Sequence, residues 1–195
     1  LVSTYAIDGF VLLCRKPVTS LNDIKGKRIR TIGAMGRWAK ALGGTPVSMT
    51  TGDMVEAISR GQLDCILGAM AWLKAYPIID SVKSIFTLNK GAGTANLLVM
   101  NRDAWNELSL SQKKTLIRHM PRTVAKVMIE GYIGDYYRAE AQAKSKGIKI
   151  HSAGSDVDAV FKKFQSKEAA AVVKKATKRG ATDPQGIVDD IIKNY

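Results

Sequence analysis

The sequence predicts an α/β fold in which helices flank a mainly parallel sheet and long helices follow it. Three observations lead to this prediction. Short apolar segments alternate with amphipathic ones over the first hundred residues, glycine or proline separates most of them, and helical periodicity dominates the rest. Two parallel strands need a long crossover, which is usually a helix, so the alternation favours parallel pairing.

The first half of the chain supplies the predicted sheet. Ser20 is a suitable N-cap for a helical turn that Gly26 ends, and the strand after it carries Arg30 near its carboxyl end. The predicted strands are residues 10–14, 27–32, 46–49, 63–67, 82–88 and 96–101. The helical segments predicted between them are residues 21–25, 35–42, a helix that opens at Gly52 or Asp53 and ends at Gly61, and 69–76. Residues 89–95, with Gly91 and Gly93, are predicted to form a flexible hairpin or a loop.

The second half is predicted to be mostly helical. One helical region covers residues 103–120 and ends at Pro121, and Thr123 is predicted to cap a long helix that runs to Lys146. A short strand at 148–151 and an amphipathic helix at 156–178 follow. Pro184 occupies the favoured first position of a final helix. The sequence therefore divides into an α/β part, residues 1–101, and a helical part, residues 102–195.

Composition places the chain among ordinary globular proteins with an unusual charge. Apolar residues make up 46% of it and the formal net charge is +13. This charge favours anionic partners, although segments such as 174–179 also fit solvated helix surfaces. No apolar run is long enough to cross a membrane. The first residues lack an initiator Met and a signal-peptide pattern, which predicts a processed product or a fragment.

The two cysteines, Cys14 and Cys65, lie in apolar runs. Buried free thiols are the default expectation for such residues. A disulfide would suit a periplasmic protein, but the separation of the two residues in space does not follow from sequence. Both possibilities stay open.

Catalytic and cofactor patterns are missing from the sequence. It contains no G-x-S-x-G, Walker A or C-x-x-C pattern, and His119 and His151 are far apart without other metal ligands nearby. We therefore expect neither an enzyme nor a bound cofactor or metal.

Arg30 is the leading candidate for a binding residue. Ligands of open α/β sheets bind beyond the carboxyl ends of the strands, where this side chain is expected. A guanidinium presents a planar set of donors that matches a carboxylate. The alternative is an ion pair with another part of the protein.

Three segments around Arg30 resemble a known family. They are PVTSLNDIKGKRIR at 17–30, ALGGTPV at 41–47 and EAISRGQLD at 56–64, and a fourth, NRDAWNELSLSQK, lies at 101–113. In this order they resemble the solute-binding subunits of TRAP (tripartite ATP-independent periplasmic) transporters, of the C4-dicarboxylate-binding type. The resemblance implies a periplasmic-binding-protein-like lobe at 1–101 and connecting helices at 102–195. It also implies that the N-terminal lobe of the family's two is absent from this sequence.

The resemblance implies a periplasmic receptor for a small organic acid that delivers its ligand to the TRAP membrane subunits, without spanning the membrane or binding nucleic acid. Arg30 would hold the ligand's carboxylate. Helices opening near Gly33 and Gly52 would point N–H groups at an anion. The remaining expected ligand contacts are Thr31, Gly33, Ala34, Thr51, Gly68, Met70, Trp72, Thr94 and Asn96.

Two other classes of protein compete with this prediction. One is a basic nucleic-acid-binding or regulatory α/β domain, which would need its lysines on one face. The other is an enzyme on a similar scaffold, for which no nucleophile and base can be named. The identity of the acid and the oligomeric state are not predicted.

Overall fold

The computed structural model describes residues 2–6, 9–88 and 95–193. They fall into two compact units, residues 1–153 and 154–195. The first contains the strands β1 Ser3–Ala6, β2 Phe10–Cys14, β3 Arg28–Thr31, β4 Thr45–Ser48, β5 Cys65–Ala69, β6 Ser84–Thr87, β7 Ala95–Leu98 and β8 Lys149–Ser152. Its helices are α1 Met35–Ala41, α2 Thr51–Ser59, α3 Trp72–Ala75, α4 Arg102–Glu107, α5 Leu110–Met128 and α6 Gly134–Ser145, with 3₁₀ turns at Leu21–Ile24 and Ile79–Ser81. The second unit contains α7 Ser155–Lys178 and α8 Pro184–Lys193.

Six strands form the main sheet, in the order β4-β3-β5-β2-β6-β8. β3 is parallel to β4 and β5, and β6 is parallel to β8, whereas β2 runs antiparallel to both of its neighbours. The predicted α/β fold with a mainly parallel sheet is confirmed, and β2 is its one reversed strand. The five strands of common direction all direct their carboxyl ends to one edge, which we call the carboxyl edge.

Apolar side chains fill one face of this sheet beneath α2 and α6. The strand side chains there are buried, and α6 contributes alanines, whose small side chains let this helix approach the sheet closely. The members of this core include Leu13, Ile66, Ile85, Met54, Ile58, Ala139 and Ala143. Because β2 and β5 are buried on both faces, their sequences read as continuous apolar runs.

Of the two possibilities left open for the cysteines, the structure shows the bonded one: Cys14 and Cys65 form a disulfide with an S–S distance of 2.05 Å. The two residues stand directly opposite each other where β2 pairs with β5, and their Cα atoms are 4.1 Å apart. Sequence could not supply this register, since it depends on which strands become neighbours.

The predicted break at Pro121 is also wrong. Helix α5 continues through Pro121 to Met128, a π-helical segment Ile129–Ile133 follows, and α6 completes the run. Thr123 therefore lies inside α5 and caps nothing. Proline removes a hydrogen bond to the carbonyl four residues earlier. Here Pro121 and Ile117 are both exposed, so water can serve the Ile117 carbonyl.

A small second sheet joins β1 to β7 in antiparallel register, and α5 packs against β1. Strand β1 was not predicted, because its partner lies about ninety residues later. The predicted loop at 89–95, with Gly91 and Gly93, lies mostly outside the described residues. No helix in the described part of the chain is long and apolar enough to cross a membrane.

Candidate functional site

Arg30 lies in β3 at the carboxyl edge, where sequence places it. In the sheet its Cα is paired with Val47 of β4 and Ile66 of β5. The residue is only 1% exposed, and it is the largest of the fully buried side chains. A buried cation needs partners, so its surroundings decide what the site can do.

The guanidinium of Arg30 is incompletely satisfied. Its Nε donates a hydrogen bond to the Met49 carbonyl at 3.1 Å, and its Cζ lies 5.2 Å from the centroid of a Trp72 ring. Nη1 makes no hydrogen bond, and across the described residues it is the one buried side-chain nitrogen or oxygen in this condition. No carboxylate in the described part of the chain pairs with Arg30. Desolvation lowers the pKa of Arg30, and the electrostatic interaction with Tyr76 acts in the opposite direction by raising it.

Trp72 covers the site from the first turn of α3. A Cβ atom on Gly68 would lie 2.3 Å from the Trp72 indole, so only glycine at this position lets the ring lie on β5. Phe10 and Tyr76 surround the indole, with ring centroids 6.0 and 5.9 Å away. The guanidinium therefore sits beside a cluster of three aromatic rings, where cation–π attraction offsets part of its desolvation.

A groove of about 350 Å³ adjoins this aromatic cluster between α3 and the π-helical segment. Trp72 and Tyr76 line one side, and Gly131 and Tyr132 line the other. Asp135 at its rim bonds to Lys74 at 3.0 Å and to Arg138 at 2.9 Å. The groove thus has an apolar wall, and its acidic group is already paired.

The other predicted contacts are distributed around Arg30. Thr31 ends β3, and Gly33, with a φ of +51°, turns the chain into α1. Ala34 is the N-cap residue of α1, and Thr51 is the first residue of α2. The carboxyl ends of β3, β4 and β5 therefore bring these positions to the same edge as Gly68 and Trp72. Their role as ligand contacts stays a prediction.

Two predicted residues have other surroundings, and a third is not described. Met70 is fully buried in the apolar core, and Asn96 is paired with Tyr5 in the small sheet. Thr94 lies outside the described residues. The start of α2 is also occupied: the Thr50 hydroxyl accepts from the Asp53 N–H at 3.3 Å and donates to the Asp53 carboxylate at 2.7 Å.

Sequence reasoning missed three groups at the site. The Met49 carbonyl is a backbone atom that no pattern of side chains reveals. Phe10 and Tyr76 were read as strand and helix residues, although their spacing from Gly68 and Trp72 in the fold brings all the rings together. The available signal was an aromatic residue four positions after Trp72, at the end of the helix predicted over residues 69–76.

A family model described as bacterial extracellular solute-binding protein, family 7, matches residues 4–176 of the chain. Solved structures with the same fold include a TRAP periplasmic solute-binding protein from Desulfovibrio salexigens. That protein is 24% identical with a TM-score of 0.83, and the match covers 99% of this chain and 60% of that one.

Two further structures carry named ligands. A TRAP periplasmic solute-binding protein from Bordetella bronchiseptica, with bound mandelate, is 21% identical with a TM-score of 0.84 and coverages of 97% and 61%. A marine metagenome TRAP solute-binding protein, described as specific for aromatic acid ligands, is 21% identical with a TM-score of 0.82 and coverages of 100% and 64%. At these low identities, the structural similarity establishes the fold alone. The chain spans about three fifths of the length of these proteins.

Proposed function

The chain belongs to the bacterial extracellular solute-binding protein family 7, and on that premise we propose that it captures a small organic acid for a TRAP-type transporter. The family consists of transport receptors and not of enzymes, so capture involves no chemical conversion. This membership favours the receptor over the nucleic-acid-binding alternative.

The unpaired Nη1 atom of Arg30 is the observation that carries the proposal. Proteins rarely bury a cation without a partner, because the desolvation cost is large unless hydrogen bonds and an opposite charge offset it. A ligand carboxylate would supply both at once. Among the described residues, no other buried side-chain nitrogen or oxygen lacks a hydrogen-bond partner.

The mechanism we propose is capture by charge-assisted hydrogen bonds in a dry site. The Met49 carbonyl holds Nε, and the Trp72 ring covers the guanidinium, so the fork has little freedom left to lose when an acid arrives. An ionised carboxylate then accepts from the free donors of Arg30. Thr31, Gly33, Ala34, Thr51, Gly68 and Trp72 would form the adjoining wall, with Met70, Thr94 and Asn96 as further predicted contacts.

The site as described is one side of a cleft. The matched structures are longer than this chain, which supports a receptor in which a second lobe closes over the carboxyl edge. In this proposal residues 1–101 form the ligand-binding lobe and residues 102–195 form the connecting and C-terminal helices. Closure would present the loaded receptor to the TRAP membrane subunits.

The aromatic cluster supports an acid with a flat or apolar tail. Phe10, Trp72 and Tyr76 offer ring edges and faces beside the guanidinium, and two of the similar structures bind mandelate or a hydroxyphenylacetate. A C4-dicarboxylate would need a second cationic partner. The contacts that Arg30 makes, with the Met49 carbonyl and the Trp72 ring, include no second cation.

The Cys14–Cys65 disulfide supports a periplasmic location. Structural disulfides persist in oxidising compartments and are rare in the bacterial cytosol. Both sulfur-bearing residues are at most 1% exposed. This burial indicates a structural and not a catalytic role.

Calorimetric titration with a panel of acids tests the proposal. The panel contains mandelate, 3-hydroxyphenylacetate, succinate and malate. We expect an aromatic acid to bind, and Arg30→Ala to weaken that binding roughly 30-fold or more, since removing one partner of a buried charge pair costs about 2–5 kcal/mol.

Arg28→Ala is the matched control, because Arg28 is two residues away on the same strand and pairs with Asp64. Its affinity for the acid should equal that of the unmodified chain. Equal affinity of the Arg30→Ala protein, or no binding by any acid of the panel, contradicts the proposal.

A further inference from the structure

The edge of the main sheet opposite Arg30 carries a strip of cationic side chains. Strands β3, β5, β6 and β8 begin at this edge, and the reversed strand β2 ends there. Backbone hydrogen bonds tie the strand ends together: Arg15 N–H donates to the Asp64 carbonyl, and Lys83 N–H donates to the Cys14 carbonyl. We call this the amino edge.

Each strand brings at least one basic residue to the amino edge. Neighbouring strands lie about 4.8 Å apart, so the strip extends roughly 20 Å across five strands. Most of these side chains are exposed and the others are half-buried. Its members are Lys25, Lys27 and Arg28 before and in β3, Arg60 before β5, Arg15 and Lys16 after β2, Lys83 before β6, and Lys146 and Lys149 before and in β8.

The carboxylates nearby do not neutralise the strip. Asp64 pairs with Arg28 at 3.0 Å, and Asp80 pairs with Lys146 at 2.6 Å. Glu56 pairs with Arg60, and Asp23 accepts hydrogen bonds from Thr19 and Ser20. The side chains of Lys16, Lys25 and Lys149 form no ion pair with the described residues, so the edge keeps a net positive charge.

A groove of about 250 Å³ lies within the strip. Lys83 and Lys146 line it beside Gly147 and Ile148, and Lys83 Nζ donates to the Asp80 backbone carbonyl at 2.9 Å. The Asp80 carboxylate is also in its lining and would repel an anion, but two ammonium groups share the same space. The groove is a concave position within the strip.

We propose that the amino edge docks on an anionic phospholipid surface. Long, flexible lysine side chains spread along five strand ends suit many mobile headgroups, and each basic residue near an anionic bilayer adds to the attraction. Nucleic acid that is held in single-stranded form would call for aromatic rings between the cations, and the aromatic cluster of this unit is at the other edge.

Vesicle sedimentation tests this proposal. The probes are phosphatidylcholine vesicles with about 30% phosphatidylglycerol and vesicles of phosphatidylcholine alone, since the attraction depends on anionic lipid. We expect binding to the first and not to the second. Raising the salt from about 0.05 M to about 0.5 M should release the protein, because the Debye length shortens several-fold.

A matched pair of variants locates the surface. Replacing Lys16, Lys25, Lys83 and Lys149 by Gln should weaken vesicle binding at least tenfold. Replacing Lys162, Lys163, Lys174 and Lys175 of α7 by Gln removes the same charge from exposed positions and should change it less than twofold. Thermal melts of both variants check that they fold.

Equal losses in the two variants would show attraction by net charge alone and overturn the proposal. So would binding that does not depend on anionic lipid. Acid binding at Arg30 is measured separately in the same variants and is expected to be unchanged.

Discussion

The two ends of β3 each present an arginine on the same face of the sheet, and the two side chains are in opposite states. Arg28, near the amino edge, donates from Nε and Nη2 to the Asp64 carboxylate and from Nη2 to the Gly61 carbonyl. Arg30, near the carboxyl edge, is buried with Nη1 unpaired. One strand thus carries an arginine that forms an ion pair and an arginine that pairs with no carboxylate among the described residues.

The difference separates an arginine that holds the fold from an arginine that, under the proposed function, would receive its partner from a ligand. The Arg28 guanidinium lowers the pKa of Asp64 by hydrogen bonding, and the Asp64 hydrogen bond raises the pKa of Arg28. Burial lowers the pKa of Arg30. The folded environment therefore disfavours the charged form of this guanidinium, although the side chain stays charged. If the partner comes from a ligand, as proposed, the unliganded fold is less stable at this position.

Removing the disulfide should have the largest effect on stability. It tests the strand pairing beside β3, the strand that carries both arginines. Cys65 is in register with Ile29, the residue between Arg28 and Arg30. The double change Cys14→Ala and Cys65→Ala should cost about 2–5 kcal/mol of unfolding free energy, typical for loss of a native disulfide. Urea denaturation followed by circular dichroism measures the cost.

An unchanged urea midpoint would show that the sheet alone fixes β5 beside β2. The unmodified chain with and without reductant is the control. It should reproduce most of the loss if the bond, and not the packing of the sulfur atoms, is responsible.

Replacing Arg30 by Met should stabilise the acid-free chain. An apolar side chain of similar length removes a buried charge that no carboxylate compensates, and burying such a charge is costly, so the free energy of unfolding should rise. Arg28→Met should do the opposite, because it leaves Asp64 without its partner. Urea midpoints of the two variants, measured without ligand, compare the two ends of β3 directly.

Destabilisation by both changes would contradict the distinction between the two arginines. In that case the Arg30 guanidinium would contribute to the fold as Arg28 does. The Arg30→Met protein should in addition fail to bind the acid that the unmodified chain binds.

Neutralising Asp64 should have the smallest effect, and its pH dependence identifies the cause. Because the pKa of Asp64 is below its ordinary value of 3.8 in the folded chain, its contribution is fully present above that ordinary value. It is lost as the pH falls through the lowered folded value. Asp64→Asn should lower the melting temperature at neutral pH by about 3 °C or less, since the pair is partly exposed.

The difference between Asp64→Asn and the unmodified chain should disappear in strong acid. Glu56→Gln is the control, because Glu56 forms a highly exposed pair with Arg60 and should have almost no effect at any pH. A difference that persists below the folded pKa would assign the role of Asp64 to shape and not to charge.

Local patterns predicted much of this fold. The run at Phe10–Cys14, the turn capped by Ser20 and the helix before Gly180 were all readable, because each depends on near neighbours in sequence. Strand β1 and the disulfide were not, since both depend on partners 50 or more residues away. The helix end predicted at Pro121 is wrong, because packing of α5 and exposure of Ile117 outweigh the local preference of proline to end a helix.

The candidate site shows the same limit. The position of Arg30 near the end of a strand follows from the pattern around Gly26 and Gly33. Its unpaired Nη1, the Met49 carbonyl and the Trp72 ring above it do not, because they arise where three strands and a helix meet.

The indole of Trp72 rests where Gly68 leaves room for it. A methyl group at position 68 would displace the Trp72 ring from the strand. The ring would then no longer cover Arg30, although no atom of the guanidinium is changed. Under the proposed function, the range of acids that fits beside Arg30 would therefore depend in part on a residue with no side chain. A change at that one position would then alter ligand preference while the ion pairs of the fold stay as they are.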